Sequence, residues 1–101
     1  MKTNRKYNIT LRSQLGPKSG TLQIKEAKVN VFGVLDVLGH ENVLVGRKGK
    51  DEFTLSLKGR IRTPLGISKC EVQGGMTEEG FDGRIIIEDK TYEMTGKREK
   101  M

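Results

Sequence analysis

Residues 9–48 align with residues 59–98 without a gap, an offset of 50 residues. Arg12 meets Arg62, Leu15 meets Leu65, Gly16 meets Gly66, Gln23 meets Gln73, Gly33 meets Gly83 and Gly46 meets Gly96. Other pairs keep their chemistry, among them Leu11/Ile61, Ser13/Thr63, Leu22/Val72, Val31/Phe81, Leu35/Ile85 and Arg47/Lys97. "LRSQLG" and "IRTPLG" align as whole turn units, as do "VGRK" and "TGKR". Self-similarity at a fixed period describes how a fold is assembled. Here it predicts two halves of four strands each, related by a pseudo-twofold. It says nothing about chemistry.

Within each half, apolar residues alternate with polar ones, the mark of half-buried strands. Tyr7, Ile9 and Leu11 share one face, followed after the turn "LGPKSG" by Leu22 and Ile24. The stretch 29–38 is apolar on both faces, and residues 39–42 read as a turn leading into Val43, Leu44 and Val45. Phe53, Leu55, Leu57, Gly59 and Ile61 hold one face of the next strand, with "TPLG" as a turn carrying Pro at its second position. Cys70 and Val72 continue the pattern. Residues 74–80 read as a loop, and Phe81, Gly83, Ile85 and Ile87 then pair with Tyr92, Met94 and Gly96. No segment keeps helical spacing.

Eight short strands with regular turns predict an all-β domain spanning 1–101, an antiparallel up-and-down barrel, with a β-sandwich as the alternative. Short connections favour the up-and-down order. Glycines at 33, 46, 59, 83 and 96 suit the coiling that closure demands. This strand plan resembles the calycin group of small barrels, which includes streptavidin-like and lipocalin-like proteins. The resemblance covers the plan and no motif. The lipocalin Gly-x-Trp signature is absent, as are the tryptophans that line a biotin pocket, so no ligand follows from it.

Composition narrows the class. No apolar run approaches the ~18–20 residues of a membrane span, so no membrane partner is expected. The N-terminus is basic but leads into an alternating segment, unlike a signal peptide. Cys70 is the only cysteine, which excludes an intrachain disulfide and fits a reducing compartment; the cytoplasm is expected. The net charge of +6 is uneven: residues 1–50 carry ten Lys/Arg against three acids, and residues 51–101 carry nine against ten. Such asymmetry fits either a basic binding surface or head-to-tail self-association.

No constellation points to catalysis. His40 lies in the predicted turn, and one His with one Cys makes neither a metal site nor a nucleophile–base pair. Cys70 reads as a small buried hydrophobe. Glu78/Glu79 and Glu88/Asp89 sit at loop tips, where carboxylates solubilise rather than catalyse. Asp36, inside an apolar strand, has Arg47 as a candidate partner. "GRKGK" lacks the strand–loop–helix context of a phosphate loop. No enzyme activity, cofactor or metal is expected.

Two surfaces carry the functional expectation. Phe32, Val34 and Leu38 form the leftover apolar face of their strand, a candidate self-association surface suited to a homodimer. Lys58, Arg60 and Arg62 form an outward row, preceded by Arg47, Lys48 and Lys50. Alternate residues lie about 6.6 Å apart, close to a phosphate spacing, but stacking aromatics are scarce. The leading expectation is a non-enzymatic binding or scaffolding barrel for a protein or small ligand. A nucleic-acid or polyanion module using the basic strand is the alternative. A pocket at one mouth would be lined by Tyr7, Tyr92 or Met76.

Overall fold

The computed structural model describes residues 3–14, 16–27, 30–48 and 54–99. They form eight strands: β1 (Thr3–Ser13), β2 (Gly16–Ala27), β3 (Asn30–Val37), β4 (His40–Lys48), β5 (Thr54–Thr63), β6 (Gly66–Met76), β7 (Gly80–Ile87) and β8 (Lys90–Arg98). No helix occurs among the described residues. Every strand is antiparallel to its sequence neighbours, and β8 returns to pair with β1, closing an up-and-down barrel. This is the predicted all-β barrel; the sandwich alternative falls because the strands form one continuous ring.

The 50-residue period is visible in the ladders. Ser13 pairs with Gly16 as Thr63 pairs with Gly66, Thr21 with Asp36 as Glu71 with Ile86, and Asn30 with Arg47 as Gly80 with Lys97. Gly33 and Gly83 are each the fourth residue of their strands. Even the turn bonds repeat, the Ser13 hydroxyl donating to the Gly16 carbonyl and the Thr63 hydroxyl to that of Gly66.

The two seams between the halves are not equivalent. At the β4–β5 seam Gly46 pairs with Leu57, so strict repetition would pair Gly96 with Tyr7. Instead Gly96 pairs with Ile9, a slip of two residues. A slip of two, unlike a slip of one, keeps every side chain on its own face. Cross-strand partners followed once around from Thr3 pass Glu26, Val31, Gly46, Leu57, Val72, Ile85 and Tyr92. The β8–β1 register, continued two residues past Leu11 and Met94, then returns to Ser13, ten residues along β1. Such a stagger over eight strands sets a tilt of roughly 40°, in the range for small closed barrels.

Inward residues fill the lumen. Tyr7, Ile9, Leu22, Ile24, Leu35, Leu44, Leu57, Val72, Ile85 and Met94 are all buried. Glycines alternate with bulky neighbours so that the layers interdigitate. A Cβ placed on Gly33 would lie 2.6 Å from Cδ1 of Leu57, and one on Gly59 would lie 2.5 Å from Cδ2 of Leu44. The Phe81 ring occupies the space beside Gly74 in the same way, at 2.6 Å. An eight-stranded interior is just wide enough for this filling.

Several boundaries differ from the sequence reading. The β3–β4 turn is the two residues Leu38 and Gly39, both with positive φ (58° and 83°), and His40 already belongs to β4. Paired positive φ values match the twist of flanking strands in a two-residue hairpin. Leucine rarely adopts that conformation, so alternation carried the strand one residue too far. Leu38 is half-buried against the core. The loop expected at 74–80 shrinks to Thr77–Glu79, because β6 runs to Met76. Lys50, Phe53 and Leu15 lie outside the described residues, as does the side chain of Lys48.

The seams rest on glycine. A Cβ on Gly46 would fall on the backbone carbonyl of Ser56, and one on Gly96 on that of Asn8. Gly46→Ala is expected to cost about 3 kcal/mol by chemical denaturation, the upper range for overpacking against an unyielding neighbour. Gly33→Ala meets only the end of a leucine side chain and should cost distinctly less. Equal costs would contradict a seam held by backbone proximity.

Candidate functional site

The lumen contains few polar groups, and Asn42 is bonded on both its amide nitrogen and its oxygen. Asn42, 5% exposed, sits beside the β4–β5 seam. Its amide donates to the carbonyls of Leu35 (3.0 Å) and His40 (3.1 Å), and its Oδ1 accepts from the Arg62 backbone N–H (2.9 Å). One side chain thus ties β3, β4 and β5 together beyond the rungs Leu44/Gly59 and Lys48/Leu55 that bound the seam. Buried polar groups persist where all their bonds are made. The repeat-equivalent residue is Tyr92, half-buried against the core, so the bridge belongs to one seam only.

At the opposite end of the lumen lie Arg5, Tyr7, Glu26 and Met76. Glu26 is buried at 7% exposure. Arg5 donates from Nη1 to the Met76 sulfur at 4.0 Å, while its Nε has no hydrogen-bond partner. Tyr7 is fully buried, its ring tilted 52° to that of Phe81 with centroids 6.0 Å apart, and its hydroxyl is also unpartnered. Both orphaned atoms are shut off from solvent. Of the three residues expected to line a pocket at one mouth, Tyr7 and Met76 are buried in the core and Tyr92 is half-buried against it.

The residues considered for catalysis do not converge. His40 is exposed at the start of β4, paired with Val37. Cys70 lies in the wall between Gly59 and Ile87, and burial pushes its thiol pKa up to about 11. A thiol so raised is a poor nucleophile at neutral pH. Glu88 is a turn residue with positive φ (57°); its carboxylate accepts from the Lys69 backbone N–H and its own N–H donates to the Lys69 carbonyl.

Distinctive chemistry is concentrated on the outer wall. Cross-strand pairing puts Phe32 opposite Val45 and Val34 opposite Val43 on the outside of β3 and β4. Phe32 is 43% exposed, Val45 52% and Val43 66%. The candidate strip therefore consists of Phe32 and Val34 with two valines that sequence reasoning left unassigned to a face. Leu38 drops out of it, packed against the core at the turn. Beside the strip, Lys58, Arg60 and Arg62 point outward along β5, all exposed, with Lys58 opposite Val45. Lys58 lies 3.7 Å from Glu71, whereas Arg60 faces Lys69, a like-charge pair. Arg47 is outward on β4 opposite Ser56, one rung beyond Val45. Asp36 faces Glu41 rather than Arg47, at the far end of the strip.

The unpaired Tyr7 hydroxyl gives a direct stability test. Tyr7→Phe keeps the ring contact with Phe81 and removes a buried group without a partner, whose burial costs on the order of 1–3 kcal/mol. The variant is expected to unfold at higher denaturant than the wild type. A loss of stability would show that the hydroxyl contributes favourably to the fold.

No family model, no curated protein and no solved structure matches this chain.

Proposed function

We propose that this chain is a non-catalytic binding or scaffolding barrel, calycin-like in its strand plan, that engages a protein partner through the outer wall of β3 and β4. The observation that carries this reading is the pair of apolar rungs Phe32/Val45 and Val34/Val43, with Phe32, Val43 and Val45 exposed and Val34 half-buried, outside a lumen already filled with side chains. A closed barrel offers no free strand edge for main-chain pairing. Recognition then falls to side chains of the wall and to the turns. Contiguous apolar surface on a soluble protein marks partner contact. One buried thiol and no disulfide suit the reducing cytoplasm as its location.

An apolar fluorescent dye such as ANS tests where the accessible apolar surface lies. Native wild type is expected to bind it, Phe32→Lys with Val45→Thr to lose most of the signal, and amide shifts to map to β3 and β4. Shifts centred on lumen residues such as Tyr7 and Phe81 would overturn the wall reading.

A second reading, a polyanion-binding module, draws support from the outward row Lys58, Arg60 and Arg62 with Lys69 beside it. Phe32 is the one large aromatic exposed on this wall among the described residues, so base stacking has little to build on. If the row binds single-stranded nucleic acid, three phosphate contacts give a slope near −2 in log affinity against log salt. Lys58→Glu with Arg60→Glu should then weaken binding uniformly across sequences. Binding that ignores salt, or its absence at physiological ionic strength, removes this reading.

A further inference from the structure

We infer that the outer wall of β3 and β4 pairs with the same wall of a second copy across a twofold axis that lies in the interface, perpendicular to the strands. This rests on the wall being the contact surface and names its occupant. Outward residues on these two strands form four rungs: Asn30/Arg47, Phe32/Val45, Val34/Val43 and Asp36/Glu41. Along the wall the order is therefore cationic, apolar, apolar, acidic. Asp36 and Glu41 face one another directly, a like-charge pair that costs stability unless a cation covers it. No ion pair joins Asp36, Glu41 or Arg47 to another described residue. Alternate residues on a strand lie about 6.7 Å apart, so Arg47 sits roughly 20 Å from the acids, about two Debye lengths at physiological salt. Its cross-strand neighbours, Asn30 and Ser56, are neutral.

Of the face-to-face twofolds along and across the strands, only the second sets a partner's cation over the Asp36/Glu41 rung; Arg62 on β5, whose backbone N–H bonds to Asn42 Oδ1 beside Glu41, makes no ion pair with either acid. An axis parallel to the strands lays the acidic rung of one copy on the acidic rung of the other. An axis perpendicular to them reverses the strand direction, so Glu41 lies over the partner's Arg47 and Asp36 over the partner's Asn30. The rung Phe32/Val45 then covers Val34/Val43 of the partner. The patch is self-complementary, as an isologous contact requires. Adjacent strands of an eight-stranded barrel turn by roughly 45°, so Lys58 and Arg60 on β5 curve away from the contact and stay solvated.

The strip is small, so the dimer is weak and is sought at roughly 0.1–1 mM. Sedimentation of wild type, Glu41→Arg, Arg47→Glu, Phe32→Lys and an equimolar mixture of the two charge variants tests the geometry. Wild type is expected to dimerise. Each charge variant alone should associate at least about tenfold more weakly, since it places like charges against each other twice. The mixture should recover to within about threefold of wild type. In the mixed dimer one contact joins the two introduced side chains, which are of opposite sign, and the other joins the native Arg47 and Glu41. All substituted residues are exposed, and circular dichroism checks that each variant is folded. A monomeric wild type over this range overturns the dimer while leaving the wall open to a different protein. Weakened single variants without recovery in the mixture overturn this axis. Association that survives Phe32→Lys overturns the wall reading itself.

Discussion

Closure of β8 onto β1 is the constraint on which the other features depend. Seven of the eight strand pairings join sequence neighbours and could form locally. The eighth joins the two ends of the chain, and its register sets the stagger of the whole ring. The slip of two residues, with Gly96 beside Ile9 instead of Tyr7, makes this seam different from its counterpart at Gly46 and Leu57. Both seams need a glycine because a neighbouring strand's carbonyl sits where a side chain would begin. From the stagger follow the tilt, the narrow interior and the interdigitation of leucine with glycine that fills it. Once the interior is filled and the edges are gone, the outer wall is where apolar and charged side chains stay exposed.

The fold was legible in the sequence because two periods agreed. Alternation of period two located the strands, and the offset of 50 residues said that the plan occurred twice. Glycines at 33, 46, 59, 83 and 96 marked positions where backbone or side chains approach closely. What alternation could not show was polar chemistry on the inside. Asn42 and Glu26 occupy inward positions that a hydrophobicity pattern reads as surface, and Asn42 holds its place through three hydrogen bonds, one within β4 and one each to β3 and β5. Leu38 failed for a local reason: a leucine with positive φ is sterically unusual, and only the hairpin geometry around Gly39 accounts for it.

The candidate surface was partly legible. Excess apolar content on residues 29–38 pointed to Phe32 and Val34, which are outward as expected. Val43 and Val45 flank the inward Leu44, and only their register against Val34 and Phe32 shows that four side chains make one strip. The charges along that strip could not be ordered from the sequence either. Asp36 and Arg47 look like partners when counted along the chain, yet the hairpin holds them at opposite ends.

The Lys6 carbonyl accepts from the Glu99 backbone N–H at 2.8 Å, and the two side chains approach to 3.7 Å. The first and last strands thus run side by side, their outer ends at the same rim as the end of β4 and the start of β5. In ring order the chain has no structural start. A circular permutant that joined these ends and opened the link between β4 and β5 would exchange the order of the halves and keep all eight ladders. Its covalent break would then lie at the seam that Asn42 bridges, while the slipped seam became an ordinary hairpin. Where the chain is interrupted and where the barrel is least symmetric are separable properties of this molecule.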